Sequence, residues 1–298
     1  MSGRAGGTVV RRIGLLGSPK KRRAVQAAKE VAAWLRRRRL SVVVLGDLAR
    51  KAGLPEEECA AEEAVFSCDL VVALGGDGTF LSAARSAAQS GVPVLGVNLG
   101  GLGFLTETRY ADLFTVLEQL LDGDVPVEPR MMLQVQVSRR GESVWGTTAL
   151  NDVVIGKGPT ARVLHLEIDV GAAHVSSYVA DGIIVATPTG STAYSLSAGG
   201  PIVNPQVPAI VITPICAHTL SARPLVLPPQ EKVYVRARGR GEVNQEVTVT
   251  ADGQLTCRLE RGDLVSVERS ERDVQIVKVP GSGFYERLRD KLRWGTKV

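Results

Sequence analysis

No apolar run in this chain approaches the ~20 residues that a membrane-crossing helix needs. The glycine-rich stretch Met1 to Gly7 carries no apolar core of the signal-peptide kind, and no Asn stands before x-Ser/Thr. The four cysteines, Cys59, Cys68, Cys216 and Cys257, lie far apart without a C-x-x-C pair, so neither a disulfide framework nor a zinc site is indicated. Histidine is scarce, at three residues. His218 could be a ligand or a catalyst, but with no Cys or carboxylates at metal spacing a structural contact is the preferred reading. No dedicated metal cage is visible. These absences lead us to expect a cytoplasmic protein with reduced thiols and no membrane partner.

Charge is present but does not decide the matter. A net charge of +5 and a pI of about 9.1 suit anionic small substrates and nucleic acid alike. No aromatics interleave the arginine clusters, which argues against a single-strand nucleic-acid partner. Arg36 to Arg39 can be a solvated helix end that complements the helix dipole, or a phosphate contact; Lys20 to Arg23 leaves the same two options.

The chain has 298 residues, 44% of them hydrophobic, which suits two domains. Val9 to Leu16 reads as a strand. Ser18 as N-cap and Pro19 at the first helical position then open a helix to about Arg39. A strand at Val42 to Leu45, a helix from Pro55 to Phe66, and strands at Leu70 to Leu74 and Val92 to Val97 follow. A helix from Tyr110 to Leu121 closes the series. Strands alternating with helices predict an α/β N-terminal domain, residues 1–125, with an open, mostly parallel sheet whose ligands sit at the carboxyl ends of the strands. After Pro126 short alternating runs, with Gly, Asp and Pro between them, predict an all-β C-terminal domain, residues 126–274. The basic helical tail, 275–298, is expected to pack back on the first domain.

The most informative stretch is Gly75-Gly76-Asp77-Gly78-Thr79, directly after the buried-strand run Leu70 to Leu74. Its glycines can take φ > 0 and approach a ligand closely, and Thr79 is a plausible N-cap for the helix that follows. Strand, glycine loop and helix N-terminus together bind phosphate. An acid among those donors would repel a phosphate, so Asp77 calls for a chemical role. The stretch is neither a Walker A loop nor a G-x-G-x-x-G fingerprint. A second glycine loop, Gly100 to Gly103, follows the next strand and is expected to line the same cleft.

The GGDGT stretch resembles the signature shared by NAD kinases, diacylglycerol- and sphingosine-type lipid kinases, and ATP-dependent phosphofructokinases. Asn151-Asp152, the block Asp181 to Ser195 and His218 to Pro224 resemble NAD kinases alone. That resemblance covers about Val9 to Val267. It implies an enzyme that transfers the γ-phosphate of ATP to the adenosine-ribose 2′-hydroxyl of NAD, with Asp77 as proton acceptor. Gly75, Gly76, Gly78 and Thr79 would form the phosphate loop. Asp77, Gly78, Asn151, Asp152, Arg162, Asp181, Thr192, Ala193, Tyr194, Ser195, Leu196, Ser197 and Gln254 would bind NAD, in part from a neighbouring subunit of a homodimer or homotetramer. A divalent cation, Mg²⁺, would arrive with ATP. Tyr194 could instead be a core residue, and Ala251 to Gln254 also reads as a plain hairpin turn. Position 179 is Val where some NAD-strict relatives carry Arg, which leaves NADH use open. A lipid or sugar kinase, or a non-catalytic dinucleotide sensor, stands as the alternative.

Overall fold

The computed structural model describes residues 10–101, 103–123, 125–158, 163–238, 246–279 and 283–294. Leu70–Gly75 is buried at every position. It pairs in parallel with Arg12–Gly17 on one side and Val94–Asn98 on the other, which explains why no polar residue interrupts it. The full sheet runs Cys59–Ala60, Ser41–Leu45, Arg12–Gly17, Leu70–Gly75, Val94–Asn98, Val274–Val277, Val127–Arg130, with Thr108–Arg109 also beside Val94–Asn98. From Cys59–Ala60 to Val274–Val277 every pairing is parallel. The chain leaves Arg12–Gly17 towards one edge of the sheet and leaves Leu70–Gly75 towards the other. The crevice between their carboxyl ends is therefore the switch point of the topology, the usual ligand position in such sheets.

Helix Arg22–Arg37 turns Ala24, Ala27, Ala28, Val31, Ala32, Trp34 and Leu35 inward. From Ala27 onward these join Leu15, Leu70, Val72 and Leu117 in one apolar core, where each fully buried leucine contributes roughly 1.5–3 kcal/mol. Two of the arginines that end this helix are held by structural contacts: Arg36 pairs with Glu58 at 3.5 Å, and Arg38 pairs with Glu118 while lying 3.7 Å over the Trp34 ring. Near the other end of the sheet, Lys278 reaches Glu107 at 3.1 Å and Glu128 at 3.4 Å. Arg287, buried in helix Phe284–Leu292, reaches Glu107 at 2.6 Å.

Several expected boundaries move. Ser18 and Pro19 do not start the first helix. The Lys21 N–H bonds the Ser18 carbonyl at 3.1 Å, so Pro19 sits in a turn and the helix begins at Arg22. Pro55 to Phe66 is not one helix but a 3₁₀ turn Glu56–Glu58, a strand Cys59–Ala60 and a short helix Glu62–Val65. Pairing of Cys59 and Ala60 with Val44 and Leu45 extends the sheet and overrides local helix preference. Gly46–Ala52 is a helix that the hydrophobic pattern did not reveal.

The second half is antiparallel, as its alternating pattern predicts. One six-stranded sheet runs Leu225–Leu227, Ile210–Ile215, Gly182–Ala186, Asp152–Lys157, Val247–Ala251, Leu255–Leu259; the other runs Ala173–Ala180, Leu164–Val170, Val233–Arg238, Leu264–Arg269, Leu133–Arg139, Glu142–Ala149. Arg140 and Gly141, both at positive φ, make the tight turn between the last two strands. Inward residues of both sheets, among them Leu133, Val153, Leu166, Ile183 and Val249, share a single core. By internal contact the chain divides into Met1–Pro129 with Val274–Val298, and Arg130–Asp273. No described helix is long and apolar enough to cross a membrane.

Candidate active site

The expected site residues fall in both units, and each half is described by itself. In the α/β unit, Gly75 ends its strand and helix Asp77–Ser90 begins at Asp77, so Gly76 is the N-cap and Thr79 lies inside the helix. Thr79 does not cap it. Its own N–H bonds the Gly76 carbonyl at 3.0 Å. Gly75, Gly76 and Gly78 all lack positive φ. The loop uses their missing side chains instead: a Cβ on Gly75 would lie 2.2 Å from Thr79 Oγ1, while Gly76 has nothing within 4 Å and leaves its backbone open at the positive end of the helix.

The carboxylate of Asp77 is engaged by the second glycine loop. Its Oδ2 accepts the Phe104 N–H at 2.9 Å. Its Oδ1 accepts the N–H of Leu105 at 3.2 Å and of Thr106 at 3.3 Å, and the Thr106 hydroxyl at 3.3 Å. A Cβ on Gly103 would fall 1.9 Å from Oδ1. The two glycine loops thus close on one carboxylate, which resolves the oddity of an acid in a phosphate loop. Among the described residues its charge is matched by four donors, and Oδ2, with a single partner there, keeps room for another. Asn98 braces this loop: Nδ2 donates to Gly101 O at 2.8 Å and to Thr106 Oγ1 at 3.0 Å, and Oδ1 accepts the Gly100 N–H at 2.7 Å.

In the β unit the centre is the Asn151-Asp152 corner. The Asp252 carboxylate accepts three successive backbone N–H groups, from Leu150 at 3.1 Å, Asn151 at 2.8 Å and Asp152 at 3.4 Å. From the other side Thr187 donates its hydroxyl to Leu150 O at 2.6 Å and its N–H to Asn151 O at 2.9 Å. Gly190 must be glycine, because a Cβ there would sit 1.9 Å from Asn151 O. With its backbone pinned, Asn151 presents a buried side-chain oxygen that has no hydrogen-bond partner among the described residues. Such an acceptor costs about 1–3 kcal/mol unless a donor reaches it, which makes it a candidate ligand contact. Burial first, and the negative charge of Asp252 second, push the Asp152 carboxyl up to about 7.

Asn151, Asp152, Asp181, Ala193 and Tyr194 line one cavity of about 540 Å³. Tyr194 is 46% exposed, so it is not a core residue and its ring is available to a base. Lys157, which sequence reasoning did not single out, joins the cavity and pairs with Asp181 at 2.6 Å. Thr192, Ser195, Leu196, Ser197 and Gln254 are not part of the lining. Ser195 is fully buried with its hydroxyl on Thr213 at 2.8 Å, and Thr192 donates to Thr189 O at 3.2 Å. Gln254 closes the turn after Ala251 through its N–H, at 2.9 Å. Arg162 lies outside the described residues. His218 is exposed and holds Val179 O through its backbone at 2.8 Å. Asp252 was hidden in what looked like a plain turn; its φ of +51°, unusual for an aspartate, has no counterpart in the hydrophobic pattern.

Residues 13–125 match the ATP-NAD kinase N-terminal domain, and residues 150–279 match the ATP-NAD kinase C-terminal domain. The chain belongs to the ATP-NAD kinase family. An NAD kinase of Geobacter sulfurreducens is 46% identical over 270 residues, 91% of this chain and 94% of its own length. An NAD kinase of Syntrophotalea carbinolica is 42% identical over 288 residues, 97% and 100% of the two chains. Among solved structures, yeast NADH kinase complexed with NADH superimposes with a TM-score of 0.88 at 26% identity, covering 98% of this chain and 89% of that one. An Archaeoglobus fulgidus NAD kinase in complex with ATP gives 0.69 at 25% identity, covering 95% and 98%.

Proposed function

We propose that this kinase transfers the γ-phosphate of ATP to the adenosine-ribose 2′-hydroxyl of NAD, giving NADP and ADP. The observation that carries the mechanism is the Asp77 carboxylate, held among the described residues by four donors at a helix N-terminus, with one oxygen engaged once. Phosphoryl transfer asks little covalent work of a protein; positioning and charge stabilisation dominate. A carboxylate is a far weaker base than an alkoxide, so Asp77 orients the hydroxyl and takes its proton late. As the bond from the ribose oxygen to phosphorus forms, the bond to the β-bridging oxygen breaks and ADP departs. Backbone N–H groups at Gly76 and Gly78 meet phosphate. Asn151, Asp152 and Asp181 hold the adenosine part of NAD, the unpartnered Asn151 oxygen accepting a hydrogen bond from it, and Tyr194 offers its ring to the base.

No group of three or more His, Cys, Asp or Glu among the described residues is arranged to hold a metal. No step here uses a protein-held metal; Mg²⁺ travels with ATP as part of the substrate. Assembly into a homodimer or homotetramer belongs to the same proposal.

The test is direct. Incubation with Mg²⁺, ATP and NAD should yield NADP, and Asp77→Asn should keep the fold while kcat falls by about 10²–10⁴-fold. A variant with near-normal kcat sinks the Asp77 assignment. Tight NAD binding without product favours a sensor.

A further inference from the structure

The loop that grips Asp77 is itself gripped by the far end of the chain. Phe104, Leu105 and Thr106 supply the four donors, and Glu107 follows directly, its side chain only 5% exposed. Glu107 Oε1 meets Arg287 Nη1 at 2.6 Å and Lys278 Nζ at 3.1 Å. At the other end of the donor segment, Lys291 Nζ lies 5.8 Å from the centre of the Phe104 ring, a cation–π contact. Helix Asp77–Ser90 packs in turn against the strand Val274–Val277. The C-terminal segment therefore touches both the helix that carries the carboxylate and the loop that binds it.

We infer that Arg287 is a positioning residue for the transfer: through Glu107 it sets where the N–H groups of residues 104–106 stand against the Asp77 carboxylate. The inference rests on the proposed role of Asp77.

The geometry leaves little slack. Three of the four bonds to Asp77 are 3.2–3.3 Å long, the far end of the ordinary range, so a shift of roughly 0.5 Å breaks them. A shift the other way is barred, since the Gly103 backbone stands so close that a Cβ there would lie 1.9 Å from Oδ1. The sheet fixes the residues on either side of Glu107: Asn98 holds Thr106 Oγ1 at 3.0 Å, and Thr108 pairs with Val97. What stays adjustable is the peptide at Glu107. A carboxylate so deeply buried stays in place only while cations meet it. Without Arg287, its partner Lys278 is shared with Glu128 at 3.4 Å, so Glu107 turns towards water and carries the Thr106 peptide with it.

Full-length Arg287→Met tests this. Its kcat should fall by about 10–100-fold, the cost of misplacing a reacting group by up to about 1 Å. The KM values for ATP and NAD should stay within about twofold, and Arg287→Lys, which keeps the charge, should fall between Arg287→Met and the wild type. Partial unfolding would also lower kcat, so the deciding comparison is Arg287→Met made in the Asp77→Asn background. A residue that acts through Asp77 costs little there, at most about twofold. Equal losses in the two backgrounds, or a wild-type kcat for Arg287→Met, overturn the inference. Should Arg287→Met fail to fold, Glu107→Gln takes its place in the same two backgrounds, with the same outcomes. Amide hydrogen exchange gives a readout free of turnover: peptides covering 104–106 should exchange faster in the variant, with the rest of the α/β unit unchanged. Unchanged exchange at 104–106 overturns the inference. This readout decides the matter even where Asp77→Asn keeps near-normal kcat, a result that counts against the role of Asp77 alone.

Discussion

Gly103→Ala offers a way to disable Asp77 without altering it. The added Cβ would stand 1.9 Å from Oδ1, 2.6 Å from Cγ and 2.8 Å from Oδ2. To regain van der Waals contact the carboxylate must retreat by roughly 1.5 Å. It then loses the N–H groups of Phe104, Leu105 and Thr106 together. Because Asp77 is half-exposed, water replaces part of what is lost, and the net cost in stability is about 1–3 kcal/mol rather than the sum of three charged hydrogen bonds. Activity is more sensitive. A misplacement of about 1 Å can cost 10²-fold, and loss of the proposed proton acceptance brings the range to about 10²–10⁴-fold in kcat. Initial rates of NADP formation give kcat, and circular-dichroism melts give Tm. Gly101→Ala is the control, since nothing lies within 4 Å of the Cβ it adds. A Gly103→Ala enzyme with wild-type kcat and Tm would refute the account of how Asp77 is held.

Two predictions concern the β unit. Asp152 titrates near 7 in the folded protein, above the 3.8 of a free carboxyl, so between about pH 4 and pH 7 the folded state holds a proton that the unfolded state has lost. Stability therefore falls as pH rises through that window, by at most roughly 4 kcal/mol. Asp152→Asn should flatten the slope, and urea melts at pH 5 and pH 8 that keep the wild-type difference would rule this out. Asp252→Asn keeps a residue tolerant of positive φ but turns one acceptor into a donor facing backbone N–H groups. The KM for NAD should rise about tenfold with the KM for ATP unchanged, the cost of one hydrogen bond to a charged group. Asp152 should titrate lower once its negative neighbour is gone. Equal movement of both KM values would contradict the positioning role.

What was legible in the sequence was local. The run Leu70 to Leu74 announces its strand because burial on both faces leaves no room for a polar residue, and the glycines after it announce a loop. The contacts that give the loop its meaning are not local. Phe104 and Thr106 reach Asp77 across 27 and 29 residues, and Asp252 reaches Asn151 across 101. Spacing along the chain carries no sign of such pairs. Helix starts were misjudged where a better-known cap competed: Thr79 has the right side chain, yet Gly76 has the right backbone, at φ −111° and ψ −167°. The segment around Cys59 failed for the opposite reason, since its composition favours a helix and the sheet edge beside Val44 outweighs it. Ser195 and Tyr194 are neighbours of similar local promise. Only the packed structure tells that one hydroxyl is spent on Thr213 while the other side chain is 46% exposed.

The place of Val274–Val277 between Val94–Asn98 and Val127–Arg130 has a consequence for synthesis. When the ribosome has delivered the first 129 residues, the two flanking strands have no common neighbour, because the strand that joins them is still 144 residues away. The unit that starts the chain is thus the last to be completed, and the β unit, continuous from Arg130 to Asp273, can close before it. Until then Val94–Asn98 is covered on that side only at its carboxyl end, by Thr108–Arg109, and the rest of the edge is open to pairing with another nascent chain. Glu107, whose side chain ends up 5% exposed, waits likewise for Lys278 and Arg287. Deleting the last segment therefore does not trim an appendage. It leaves the first domain without the strand that joins Val94–Asn98 to Val127–Arg130, and removes two cations from a buried carboxylate.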